Sequence, residues 1–200
     1  MHNSSQTDAI GCRFSLYPMS DSYADVILSA LKKTDTTKVQ QQTDLLSTLY
    51  IGRQCHVVDC ANAVFAHAWK GNVHMVGEFT FSKAEHSDAG ASDAVFKTDD
   101  ELCNAAAISL GNIPAYAKVS IYAFDIHDDA APLRRILEIA EQHRLQPKSM
   151  PLLIMLKGSV NSLFAFLNDV LTYACSSIPF FVLQATVSVN SPTQVDWNQA

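Results

Sequence analysis

The 200-residue sequence predicts an α+β protein built from two copies of one unit with antiparallel sheets, and three observations carry that reading. The chain matches itself at an offset of 105 to 106 residues, the hydrophobic period changes in the same order in each copy, and charge separates into two balanced blocks around an acidic connector. At the shorter offset Phe14, Ser15, Leu16 and Tyr17 fall on Val119, Ser120, Ile121 and Tyr122. One residue more aligns Gly52 with Gly158, Asn62 with Asn168, Val64 with Val170, Ala68 with Ala174, Val76 with Val182 and Thr80 with Thr186. Residues 11–85 hold seven Lys+Arg and seven Asp+Glu, residues 114–192 six and six, and residues 86–113 one against five. The predicted organisation is a first repeat over 11–85, a connector over 86–113 and a second repeat over 114–192.

Within the first copy, residues 13–19 alternate between two faces and read as a strand. Ser20 or Asp21 caps a helix in which Val26, Ile27, Ala30 and Leu31 recur at helical spacing, ended by the Thr34-Asp35-Thr36-Thr37 run. Strands near 37–42 and 45–53 flank a turn at Thr43-Asp44. A helix near 57–69 gathers Val57, Ala61, Val64, Phe65 and Ala68 on one face, and the alternating residues 74–82 close the unit. The second copy repeats this order: a strand at 118–124, a helix near 129–143 with Pro132 in its first turn, strands near 146–150 and 152–157, a helix near 159–176 and a strand at 180–190. Right-handed crossovers turn βαββαβ into a four-stranded antiparallel sheet with two helices on one face, the ferredoxin-like arrangement. In the connector, Asp99, Asp100 and Glu101 ahead of Leu102, Ala105, Ala106 and Ile108 suit one short helix, and residues 86–93 read as exposed loop.

Composition excludes several functions. A net charge of −6, with no dense Lys/Arg cluster, argues against nucleic-acid binding, and 48% hydrophobic residues argue against disorder. Five cysteines without a C-x-x-C pair fit reduced thiols, neither a disulfide framework nor a zinc site. The absence of a basic, apolar start or a long apolar run points to a soluble cytoplasmic protein. No GxGxxG, Walker loop or nucleophile elbow is present. His56, Asp59, Cys60 and His67 lie on related turns of one helix, but their spacing lacks a paired thiolate or an HExxH motif, and they read as half-exposed polar positions.

Each repeat leaves one sheet face uncovered by its own helices. The open faces of the two copies can stack on one another or on those of a second chain, with a ligand pocket between sheet and neighbour. From the first strand Arg13, Ser15, Tyr17 and Met19 point there, where Tyr17 serves either as a packing anchor or as a ligand wall. Asp44, beside Thr43, Ser47 and Thr48, either bonds its own turn backbone or hydrogen-bonds a planar polar ring.

The segments GCRFSLYPM at 11–19, LKKTDTTKV at 31–39, TDLLST at 43–48, GRQCHVVDCANAVFAHA at 52–68 and FTFS at 79–82 resemble the YkoF family of thiamine/hydroxymethylpyrimidine-binding proteins. The second block resembles that family's second repeat through VSIY at 119–122 and SVNSP at 188–192. The resemblance implies tandem ferredoxin-like (ACT-like) repeats, a homodimer, and non-catalytic binding of thiamine or its hydroxymethylpyrimidine moiety in vitamin uptake or salvage. It also implies a thiamine-precursor membrane transporter nearby, and it brings no cofactor. The expected ligand residues are Arg13, Ser15, Tyr17, Met19, Thr43, Asp44, Ser47 and Thr48. The second copy has Tyr122-Ala123-Phe124-Asp125 where the first has an LYPM-like strand, and residues 147–151 lack the Thr-Asp and Ser-Thr pairs. The first repeat is therefore the expected ligand site, the second being structural or altered in specificity. The alternative is an ACT-like regulatory module that senses another small planar metabolite or an amino acid.

Overall fold

The two-faced strand at the start of the chain forms as β1 (Ala9–Pro18), in a computed structural model that describes residues 9–84, 92–105, 112–126, 130–193 and 197. Ile10, Cys12, Phe14 and Leu16 are buried on one side, and Arg13 and Tyr17 are exposed on the other. α1 (Tyr23–Lys33) follows, with Asp25 in its first turn and Lys32 and Lys33 in its last, both placements favourable to the helix dipole. Its N-cap is Ser22, in place of the expected Ser20 or Asp21; Ser20 Oγ instead accepts from the Ser22 N–H. β2 (Val39–Thr43), β3 (Thr48–Arg53), α2 (Gln54–Ala68) and β4 (Met75–Lys83) complete the first half. The second half runs β5 (Pro114–Phe124), α3 (Ala131–Gln142), β6 (Lys148–Met150), β7 (Leu153–Ser159), α4 (Val160–Ser177) and β8 (Phe180–Val189). Both halves are βαββαβ units, as the sequence predicts.

All eight strands form one antiparallel sheet in the order β2-β3-β1-β4-β8-β5-β7-β6. The halves join through β4 and β8, where Phe79 pairs with Ala185. Those two residues are also repeat equivalents at the longer offset, so a local two-fold axis passes between them. This arrangement corrects the expectation that the open faces of the two copies stack within a chain. They lie side by side, because pairing β4 with β8 satisfies two otherwise bare strand edges over residues 75–82.

The helices cover one face and share a core with alternate strand residues. At its centre Phe79 meets Phe164 edge-on with ring centroids 5.2 Å apart, with Phe14 and Phe65 at 5.9 and 6.0 Å. Gly77 is what lets these rings approach: a Cβ there would stand 2.8 Å from atoms of Phe65 and Phe79. On the helix side, Gln54 Nε2 donates to the backbone oxygen and Oδ1 of Asn168, tying α2 to α4. The repeat-equivalent pair is Val160 and Asn62, and valine has no side-chain amide to donate. That substitution accounts for Asn62 Oδ1 being buried without a partner.

The connector is the main departure from the sequence expectation. A short 3-10 turn (Asp93–Phe96) seats Val95 and Phe96 on Ala9 and Ile51, covering one end of the open face. Residues 98–104 then form a polar strap across the first repeat. Lys38 Nζ donates to Asp99 Oδ1 and to the Glu101 carbonyl, both at 2.6 Å, Arg53 pairs with Asp100, and His56 Nε2 lies 2.6 Å from the Asp99 carbonyl oxygen. Asn104 donates from its backbone N–H and Nδ2 to Asp59 Oδ2, at 3.1 and 2.9 Å. The acids at 99 and 100 thus neutralise cations of the first repeat and do not cap a helix over 101–104. Residues 86–91 and 106–111, including most of the expected connector helix, lie outside the described residues. The strap also buries His56, Asp59 and Cys60, which overturns their reading as half-exposed. Among the described residues no group of His, Cys, Asp and Glu could hold a metal, and no helix is long and apolar enough to cross a membrane.

Candidate functional site

Strand alternation decides which expected residues share a surface. Arg13, Ser15 and Tyr17 project onto the open face beside Glu78 and Thr80 of β4, and the Tyr17 hydroxyl lies 3.4 Å from Glu78 Oε2. Met19 follows β1 and is exposed. The β2–β3 turn rises against this wall. Arg13 Nη1 donates to Asp44 Oδ2 at 2.6 Å and to Ser47 Oγ at 2.7 Å, and Ser15 Oγ donates to the Leu46 carbonyl at 2.9 Å.

Asp44 organises the turn. Its Oδ1 accepts the backbone N–H groups of Leu46 and Ser47 at 2.8 and 2.9 Å. Those two donors, with Arg13 alongside, hold its carboxyl down at about 2 against an ordinary 3.8. The carboxylate therefore bonds its own backbone and, in addition, an arginine from another strand. Sequence reasoning offered the first partner and missed the second, since 31 residues separate Arg13 from Asp44. Thr43 and Thr48 stand apart from this wall. Thr48 is buried on the helix-covered side opposite Phe14, and its Oγ1 lies 3.1 Å from Thr43 Oγ1, so the pair braces the hairpin from behind.

The second repeat repeats one of these contacts and loses the others. Ser120 Oγ donates to the Leu152 carbonyl at 2.9 Å, the counterpart of Ser15 and Leu46. Lys118 replaces Arg13, Met150 replaces Asp44 and Leu153 replaces Ser47, so no carboxylate stands at this hairpin tip. A cleft of about 360 Å³ opens there, lined by Ser120, Tyr122, Ile136, Met150, Leu152 and Leu153 among others. A second, more polar hollow of about 320 Å³ continues onto the open face beside Glu78, Lys118, Gln184 and Thr186. Sequence reasoning did not single out this cleft. Its signal was the apolar Met150 and Leu153 flanking the two-residue turn Pro151-Leu152.

β5 contributes a bare backbone edge to the larger cleft. It pairs with β7 only as far as Val119, while its pairing with β8 runs on to Phe124. The Val160 N–H bonds the Ile113 carbonyl, which fixes the odd-numbered residues of β5 as those facing β7. The N–H and C=O groups of Ile121 and Ala123 consequently point past the end of β7 into the cleft. In the first repeat the matching positions are Leu16 and Pro18, and proline removes one donor.

Comparison with known proteins agrees with the two-fold architecture. The YKOF-related Family matches the chain twice, over residues 9–88 and 114–194. A protein of Bacillus subtilis (strain 168), named "Putative HMP/thiamine-binding protein YkoF", is 31% identical over 189 residues, covering 94% of each chain. The two matched segments coincide with the two halves of the sheet, and the protein belongs to the YKOF-related family.

Proposed function

We propose that this protein binds thiamine or its hydroxymethylpyrimidine moiety without catalysis, in vitamin B1 uptake or salvage, with the ligand against the open sheet face of the first repeat. The observation that carries the reading is the cluster of Arg13, Ser15, Tyr17, Asp44 and Ser47 on one wall, in a chain akin to a protein named for HMP/thiamine binding. An aminopyrimidine carries amino donors and ring acceptors along one edge, which suit the Asp44 carboxylate and the Ser15 and Ser47 hydroxyls. Its flat face suits Tyr17 and Met19, and a thiazolium cation suits the face of Tyr17. Thr43 and Thr48 act behind the wall, holding the hairpin that presents Asp44.

The uncovered sheet face, with Tyr17, Tyr122 and Phe124 exposed on it, supports a homodimer that closes the pocket. A cytoplasmic location and a thiamine-precursor transporter as partner complete the reading.

A second reading places a ligand in the second-repeat cleft, and the cavity of about 360 Å³ favours it. There an aminopyrimidine edge would pair with the backbone of Ile121 or Ala123, between apolar walls. Titration calorimetry with thiamine and hydroxymethylpyrimidine tests both. One site per chain, lost in Asp44→Ala, supports the first repeat alone, and two equivalent sites per chain would refute a structural second repeat. A thermal-shift panel tests the ligand class, because a ligand at a hundred times its Kd stabilises the fold by about 2.7 kcal/mol. A shift with an amino acid and none with either pyrimidine would support an ACT-like sensor instead.

A further inference from the structure

The two hairpin tips of this pseudo-symmetric sheet are fastened to unequal degrees. In the first repeat the tip at 44–47 is pinned to β1 by three hydrogen bonds from two side chains. Arg13 Nη1 reaches both Asp44 Oδ2 and Ser47 Oγ, Ser15 Oγ reaches the Leu46 carbonyl, and Asp44 Oδ1 closes the turn on its own backbone. In the second repeat, among the described residues, one side-chain bond, Ser120 Oγ to the Leu152 carbonyl, reaches the tip from β5. The residues that would rebuild the pin are Lys118, Met150 and Leu153, none of which supplies a carboxylate or hydroxyl.

Two further features set the second tip apart. β6 has three residues paired to β7, where β2 at the opposite edge of the sheet has five paired to β3, so the second hairpin is held by a shorter ladder. Leu152 and Leu153 line both hollows of the second repeat, which leaves open space on either side of the tip. Leu152 itself is 90% exposed, in the left-handed backbone region at φ 68°.

We infer that the β6–β7 tip is a hinged flap over the second-repeat cleft, whereas the matching β2–β3 tip is a fixed wall locked by Arg13. The flap swings when one hydrogen bond breaks, and its apolar Met150, Leu152 and Leu153 close over whatever planar molecule enters. For what enters the cleft this rests on the pyrimidine-binding reading; for the motion it does not.

Hydrogen exchange of the full-length protein without ligand, read by mass spectrometry and corrected for intrinsic rates, tests the inference. Amides at 149–154 should exchange at least roughly tenfold faster than those at 43–48. Arg13→Met should speed exchange at 43–48 towards the rate of the second tip while leaving 149–154 unchanged. Grafting the pin as Lys118→Arg, Met150→Asp and Leu153→Ser should slow exchange at 149–154. Equal protection of the two tips in the unmodified protein, or no change at 43–48 in Arg13→Met, would overturn the inference. A graft that fails to fold leaves those two measurements to decide. Because the exchange measurement uses ligand-free protein, failure to bind thiamine would sink the proposed function and leave the flap standing, and binding with equally protected tips would do the reverse.

Discussion

Replacing Asn104 by alanine probes whether the connector is an integral part of the first repeat or merely a tether. Asn104 is 4% exposed, and its side chain accepts from the Asp35 N–H and donates to the Asp35 carbonyl and to Asp59 Oδ2, each at 2.9 Å. Two of those bonds join neutral partners, at about 1 kcal/mol each, and a bond to a carboxylate contributes about 1.5–3 kcal/mol. Partial entry of water offsets some of the loss, so the net cost should be about 3 kcal/mol. In a protein of this size that lowers the melting temperature by roughly 6–12 °C. Asn104→Asp should cost more at neutral pH, because a second carboxylate would face Asp59 across the distance now bridged by a hydrogen bond. Like charges that close cannot both ionise, so the variant should regain stability as pH falls and one of the two takes a proton. Differential scanning calorimetry from about pH 4 to 8 reads both effects. A shift under about 2 °C for Asn104→Ala, or a pH-independent Asn104→Asp, would refute the strap as a structural element.

Tyr17→Ala and Asp44→Ala should weaken thiamine binding in calorimetry more than Tyr122→Ala does, with the fold kept in Asp44→Ala; equal losses at Tyr17 and Tyr122 would point to two working sites. Gly77→Ala should cost about 1–3 kcal/mol in urea unfolding, since its Cβ would press on Phe65 and Phe79 inside the aromatic core; a neutral variant would show that those rings have room to move. Native thiol labelling should reach at most Cys55, Cys103 and Cys175, because Cys12 and Cys60 are buried and burial pushes both thiols up; labelling of either before unfolding would contradict the core described. The Leu46 and Ser47 amide protons should titrate in NMR with a midpoint near 2. The Asp44 carboxyl is held below its ordinary 3.8, so the stability it contributes is present above that value and lost as pH falls through about 2; an unshifted midpoint would show the turn bonds are not formed.

Repetition makes most of the fold legible in the sequence. A period-two strand such as β1 and a 3.6-period helix such as α2 announce themselves in hydrophobic spacing, because backbone geometry fixes which residues share a face. The candidate site is legible in part. Arg13, Ser15 and Tyr17 reach the open face because alternation along one strand puts them there, and alternation across the hairpin puts Thr48 on the other side. Sequence reasoning groups Thr48 with the site by proximity along the chain, and proximity does not encode facing. His56, Asp59 and Cys60 show a related failure. Their burial depends on a strap 40 or more residues away, and no local period carries that information.

By itself the sequence determined a duplicated βαββαβ unit and the residue types on the face of β1, both consequences of local backbone geometry. The tertiary structure alone decided that the two units share one sheet through Phe79 and Ala185, that Arg13 locks Asp44, and that the second hairpin stands over an open cleft. Each of those outcomes depends on which bare edge or charge finds a partner far along the chain. Such pairings are settled by the cost of leaving polar groups unsatisfied, which is summed over the whole fold and written in no single segment.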